Sequence, residues 1–249
     1  MTIFHAILLS IIEGITEFLP ISSTGHLILT ANLLNIPPTD FAKSFEIFIQ
    51  LGAILAVVTL FGKKLFIERS LIQKVIVSFI PTAIAGFVLY PFIKNVLLES
   101  SLVVAWALIL GGIILVFIEK FFHNNDNSAI GYRAALIIGI FQSLSLIPGV
   151  SRAGATIIGA LILGYKRATA VEYSFFLAIP TMAAAVGWDM IKSIGQFSSG
   201  DMTLFAVGFV GSYITALITI KAFIGFIKHN SFVSFGVYRI IIGTLFLFA

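Results

Sequence analysis

Residues Glu13–Leu27 read EGITEFLPISSTGHL, placing two carboxylates, three consecutive hydroxyls and a histidine inside the first apolar region of the chain. Apolar residues flank the stretch on both sides, so a membrane-crossing helix is the first reading of residues 3–34. Pro20 argues against an unbroken one. Proline removes a backbone donor and pushes the residue before it away from helical geometry. Broken backbone at membrane depth survives only where it is buried in protein or faces a polar cavity. Residues 3–34 are therefore expected to form a re-entrant helix–loop–helix hairpin. A second apolar region, 132–164, is interrupted in the same way by SLIPGVSRAGAT at Ser145–Thr156.

The chain around these stretches is made for lipid. Of its 249 residues, 59% are hydrophobic and only 10% charged, and the mean hydropathy is +1.10. A soluble domain carries about 25% charged residues. Uninterrupted spans are expected near 45–62, 75–93, 102–119, 172–191, 203–224 and 232–249. The expected fold is thus all-α and polytopic, with six transmembrane helices plus two re-entrant hairpins. The 25 Phe serve as packing and lipid-facing bulk. No cysteine is present, which excludes disulfides, iron–sulfur clusters and Cys-zinc sites. The net charge of +4 comes from basic residues in short loops. These read as topology signals rather than a nucleic-acid surface. The N-terminus lacks a basic n-region and an A-x-A site, so it does not read as a signal peptide.

The two broken regions also align with each other. Glu13 falls opposite Gln142 and Gly25 opposite Gly154, with Pro20 opposite Pro148 after a one-residue shift. FEIFIQLGAILA from Phe45 aligns with YSFFLAIPTMAA from Tyr173 at nearly the same offset. Each half then carries a broken hairpin and three spans, with residues 1–125 as the first repeat and 126–249 as the second. Three spans is an odd number, so the second copy is inverted, an arrangement typical of transporters with a site near mid-membrane. Lys and Arg divide three (Lys43, Lys94, Lys192) against ten between the two sides, with Arg152 and Arg239 inside apolar segments. The ten-residue side is expected to be cytoplasmic. The first hairpin then enters from outside, the second from inside, and their tips meet.

The tips carry the chemistry. Glu13 and Glu17 lie one helical turn apart and share a face. Carboxylates in lipid are costly unless paired, protonated or bound to a cation. Ser22, Ser23 and Thr24 follow the break as capping residues for a second half-helix, whose N-terminus offers free N–H groups and a positive dipole end. Gly25 permits close backbone approach, and His26 sits in the first turn. In the second tip Pro148 and Gly149 make the break, Ser151 can cap, and Arg152 puts a guanidinium into lipid. Arg152 either neutralises Glu13 or Glu17 or binds an anion. A guanidinium, two half-helix N-termini and a hydroxyl cluster suit phosphate, and nearby carboxylates suit a divalent cation bridging phosphates. Gln50 either lines the site or bridges helices. Glu46, Glu172, Asp189 and Arg239 read mainly as interface or structural residues, and His123 to Asp126 as a loop.

These stretches resemble the two signature motifs of the undecaprenyl-diphosphate phosphatase family, the bacitracin-resistance type of membrane phosphatase. The resemblance extends over nearly the whole chain, including FEIFIQLGAILAV and EYSFFLAIP. It implies hydrolysis of undecaprenyl diphosphate to undecaprenyl phosphate and inorganic phosphate, which recycles the cell-wall lipid carrier and confers bacitracin resistance. It also implies a divalent cation, Mg²⁺ or Ca²⁺. The family's carboxylate pair falls on Glu13 and Glu17, its hydroxyls on Ser22, Ser23 and Thr24, and its histidine on His26. Its Ser–Arg pair falls on Ser151 and Arg152, and its threonine on Thr156. The motif often carries Ser where this chain has Ala153.

Read this way, Ser23 is the expected attacking hydroxyl, with His26 or a metal-activated water as alternatives. Glu17, His26 and Arg152 complete the expected catalytic set. Ser22, Thr24, Gly25, Ser151, Arg152, Thr156 and Gln50 are expected around the phosphates, and Glu13 and Glu17 on the metal. The expected partners are a polyprenyl diphosphate lipid and the bilayer, with a homodimer left open and nucleic acid excluded. The expected location is the bacterial plasma membrane, the site opening to the extracytoplasmic side. The competing reading is a transporter or flippase of an anionic polyprenyl phosphate lipid.

Overall fold

The computed structural model describes residues 1–92, 101–121, 129–193 and 197–248. Lys94, the polar stretch His123 to Asp126 and the expected repeat boundary at 125/126 lie outside the described residues. The described chain is helical: α1 (Ile3–Thr16), α2 (Ser23–Leu33), α3 (Asp40–Phe48), α4 (Gln50–Ile67), α5 (Arg69–Phe92), α6 (Ser101–Phe121), α7 (Tyr132–Ser143), α8 (Arg152–Ile162), α9 (Arg167–Lys192), α10 (Ser199–Ile227) and α11 (Val233–Phe246). Among the described residues, five helical stretches are long and apolar enough to cross a membrane: Asp40–Ile67, Arg69–Leu89, Ser101–Glu119, Arg167–Lys192 and Gly200–Ile227. The protein is a polytopic, all-helical membrane protein. The sixth expected span, 232–249, is the 14-residue α11, about 21 Å long at 1.5 Å per residue. That is short of the roughly 30 Å hydrocarbon thickness.

Both polar interruptions break the helix where the sequence places them. The first half-helix ends earlier than Pro20 alone requires. α1 stops at Thr16, and Glu17 to Ile21 form turns before α2 begins at Ser23. Glu17 keeps right-handed helical geometry, and its N–H still reaches the Glu13 carbonyl, so the two carboxylates stay one turn apart. In the second region α7 ends at Ser143, a 3₁₀ turn covers Leu144–Leu146, and α8 starts at Arg152.

The same local solution appears at both breaks. Ser22 (φ 71°) and Ser151 (φ 73°) adopt left-handed backbone, a conformation uncommon outside glycine. Each side-chain oxygen accepts from the N–H of a glycine three residues on, Gly25 at 3.4 Å and Gly154 at 3.0 Å. Strain of this kind persists only where the surroundings over-determine it.

Packing around the breaks is also paired. α1 lies along α10 and α7 along α5, while α6 and α11 pack on each other. The Thr215 hydroxyl donates to the Ser10 carbonyl across the first contact, and the Thr82 hydroxyl to the Gly139 carbonyl across the second. Both contacts need a bare backbone. A Cβ on Gly14 would fall on the Thr215 hydroxyl and 2.7 Å from the Ser212 carbonyl, and one on Gly139 would fall 2.8 Å from Ser78 Cα. Helices in lipid gain little from burying apolar surface against each other, so close approach over small residues carries much of their association. The main core is Phe-rich and lies where α4, α8, α9 and α10 converge, with Phe18, Phe175, Phe176 and Phe223 buried in it.

Candidate active site

The two breaks meet. Arg152, the first residue of α8, donates from Nη2 to Glu17 Oε1 at 2.8 Å, with both side chains less than a tenth exposed. Its Nη1 donates to the Ser174 carbonyl at 2.8 Å and to the Ser174 hydroxyl at 3.3 Å. The guanidinium lies 5.7 Å from the Phe18 ring centroid, and Phe18 meets Phe175 edge-on. The other Glu17 oxygen accepts from Ser23 Oγ at 2.5 Å. A chain therefore runs Ser23–Glu17–Arg152–Ser174, and Thr156 extends it by donating to Ser174 Oγ at 2.7 Å. A hydroxyl bonded to a carboxylate that is oriented by a third group has the geometry of an activated nucleophile.

Glu13 lies one turn behind Glu17, fully buried, and neither of its oxygens has a donor. At the aligned position Gln142 is equally buried but satisfied. Its amide donates to Thr82 at 2.9 Å, and its carbonyl accepts from Thr181 at 3.3 Å. Arg152 Nε likewise has no acceptor. Of the four buried, unpartnered side-chain atoms found among the described residues, three belong to Glu13 and Arg152, and the fourth is Asp189 Oδ2. Leaving such a group unpaired costs roughly 1–3 kcal/mol, more when it is charged. Three of the four thus gather at the junction of the two breaks.

The remaining expected site residues divide into two groups. Ser22 and Ser151 are buried and spent on capping, and Gly25 lies under α6, its Cβ position 3.4 Å from Val104. Thr24 is half-buried in the first turn of α2, and Gln50 is half-buried where α3 gives way to α4. Ala153 is fully buried, a methyl group in the core. Among the described residues no group of three His, Cys, Asp or Glu is placed to hold a metal alone. Glu46, read as structural, lies within electrostatic reach of Glu13. Glu172 pairs with Lys64 at 2.8 Å at the half-exposed edge of α4 and α9, apart from the breaks.

His26 is buried on α2 and held at both ring nitrogens. Nδ1 lies 2.7 Å from the Ser22 carbonyl and Nε2 2.7 Å from the Tyr238 hydroxyl. Arg239, next on α11, is wholly buried, and each of its five N–H groups goes to a backbone carbonyl. The acceptors are Pro20 at the first break, Gly149 and Val150 at the second, and Ala107 and Leu108 on α6. Ser174 and Tyr238 were not singled out in the sequence. Ser174 falls opposite Glu46 when FEIF is aligned with YSFF, and that alignment was its one available signal.

A family model described as bacitracin resistance protein BacA matches residues 6–245. The chain belongs to this family. Curated relatives agree over their full length. A protein named undecaprenyl-diphosphatase from Aquifex aeolicus is 52% identical, over 99% of this chain and 98% of its own. Its namesakes from Wolinella succinogenes and Methanococcus aeolicus are 51% and 45% identical, with 98% of each covered. In this family member the Glu13–Glu17 pair and the Ser23–Glu17–Arg152 chain lie together at the junction of the two breaks, with Glu13, Glu17 and Ser23 buried.

Proposed function

We propose that the protein hydrolyses undecaprenyl diphosphate to undecaprenyl phosphate and inorganic phosphate at the junction of the two breaks. The observation that carries the placement is the coincidence of an oriented hydroxyl with unpartnered charged atoms in one buried spot. Ser23 Oγ attacks the terminal phosphorus as the bond from that phosphorus to the bridging oxygen breaks, undecaprenyl phosphate leaves, and the Ser23 proton passes by way of Glu17 to the departing phosphate. Arg152 Nε and the N–H groups opening α2 and α8 hold the phosphoryl oxygens, where charge develops. A water then attacks the phosphorus held on Ser23, the Ser23 O–P bond breaks, and Glu17, ionised again, takes the water's proton and returns it to Ser23 Oγ as inorganic phosphate leaves. Ser22, Ser151 and Thr156 fix these donors in place, and Thr24 and Gln50 stand at the edge of the phosphate site.

A divalent cation, Mg²⁺ or Ca²⁺, fits the donor set. Glu13 offers two free buried oxygens beside Glu17, and Mg²⁺ is commonly held by one or two carboxylates together with substrate phosphates. Glu13 and Glu17 would hold it, and it would supply charge neutralisation for the diphosphate.

The matched local geometry at Ser22 and Ser151, and the exchange of α1·α10 with α7·α5, support reading residues 1–125 and 126–249 as inverted repeats. In that reading each repeat holds a re-entrant hairpin and three spans, and α11 is the short sixth crossing. The charge split supports a plasma-membrane protein with its site open to the extracytoplasmic side. A flippase of the same lipid is the competing reading. Phosphate release by the purified protein in detergent separates the two, because transport has no meaning there. No release by the parent would overturn the phosphatase reading, and equal release by a Ser23→Ala variant would remove Ser23 as the nucleophile.

A further inference from the structure

The ring nitrogens of His26 carry information that the motif does not. A carbonyl oxygen only accepts, so the 2.7 Å contact between Nδ1 and the Ser22 carbonyl requires a hydrogen on Nδ1. In the neutral imidazole Nε2 is then the acceptor, and the group facing it at 2.7 Å is the Tyr238 hydroxyl. The two rings are nearly coplanar in orientation, 4° apart, with centroids 5.5 Å apart. The bond joins residues 212 positions apart, tying the opening turn of α2 to α11. Tyr238 is itself about two-fifths exposed, so nothing in core packing demands a hydroxyl there.

We propose that Tyr238 is a positioning residue for His26, fixing the imidazole in its Nδ1–H form with Nε2 turned toward the phenol. This rests on the phosphatase reading above. Its first consequence is that the Nε2 lone pair is engaged, so His26 is not the attacking atom and Ser23 keeps that role. Its second is that any proton His26 gains at Nε2 is met by the phenol oxygen, which turns from donor to acceptor. The ring therefore changes charge without changing place. The other charged or titratable groups facing this ring are few. Arg239 adjoins Tyr238 on α11, Glu17 in the turn after α1 holds Ser23 at the start of α2, α1 with Glu13 packs along α2, and α6 presents the apolar Val104 and Leu108 to this turn of α2.

The test is Tyr238→Phe, alone and combined with His26→Ala, each purified in detergent and assayed with a polyprenyl diphosphate across pH. Tyr238→Phe keeps the ring and removes one hydroxyl, so the melting temperature should stay near that of the parent. Turnover should fall about tenfold at nearly constant KM, because the freed ring no longer fixes the opening turn of α2 that carries Ser23, and misplacing a reacting group by about 1 Å can cost ~10². The limb of the pH–rate profile that disappears in His26→Ala should shift. In the His26→Ala background Tyr238→Phe should cost nothing further. A parent-like pH profile for Tyr238→Phe, or a tenfold loss that persists without His26, would overturn the inference. Failure of the parent to release phosphate would instead overturn the phosphatase reading.

Discussion

Arg152 meets two demands with one side chain. It compensates Glu17, and it keeps Nε free for a ligand. Removing one partner of a buried ion pair costs about 3–5 kcal/mol, so Arg152→Ala should lose both thermal stability and turnover. Arg152→Lys separates the two effects. An ammonium can still reach Glu17 and hold the fold, but it lacks the planar fork. It should melt near the parent and remain at least about a thousandfold slower, because arginine groups in phosphoryl transfer contribute ~10³–10⁵. A stable and active Arg152→Lys would reduce the arginine to a counter-ion. Glu13 makes a sharper prediction. Neither of its oxygens has a donor, so Glu13→Gln should be tolerated or even stabilising in the absence of metal, yet lose the response to added Mg²⁺. Excess chelator should abolish turnover of the parent. Full activity in chelator would remove the metal from the mechanism.

At the scale of elements, the helix breaks were legible because proline and clustered hydroxyls leave a mark in the sequence. Pro20 and Pro148 announce the interruptions, and Ser22 and Ser151 are ordinary caps in unusual backbone. Less visible was what holds the breaks together. Arg239 was read as structural, which fits its full burial, but its partners are carbonyls, and backbone acceptors have no residue signature. Ser174 was hidden for a related reason: half of its contact with Arg152 is main-chain. Because α11 carries Arg239 into both breaks and α6, Arg239→Met should be among the most destabilising single changes. It strips five buried carbonyls of donors, each loss costing roughly 1–3 kcal/mol. Arg239→Lys has only three donors and should fall between the parent and the methionine variant. Gly111→Ala reaches the same clamp from the opposite wall, since its Cβ would lie 2.7 Å from Arg239 Cζ. All three should lower the melting temperature, and Tyr238→Phe, one residue away, should not.

Over the whole molecule the question is which way the site faces. The orientation proposed from the Lys and Arg division has the turn between α4 and α5 inside and the segment between α2 and α3 outside. The charges that decide it are few, three against ten, so the assignment rests on loop positions more than on any one residue. The matched breaks support opposite faces for the two segments. If the halves are inverted copies, the α2–α3 segment and the α4–α5 turn must lie on opposite faces, because one crossing, Asp40–Ile67, separates them. The chain has no cysteine, so single replacements report cleanly. Pro38, between α2 and α3, and Ser70, in the first turn of α5 just after the α4–α5 turn, are both exposed. Pro38→Cys should react with an impermeant thiol reagent in intact cells, and Ser70→Cys only after the membrane is permeabilised. The reverse pattern would turn the molecule over and open the first hairpin to the cytoplasm. Reaction of both in intact cells would place the two segments on one face, removing the crossing on which the inverted arrangement depends.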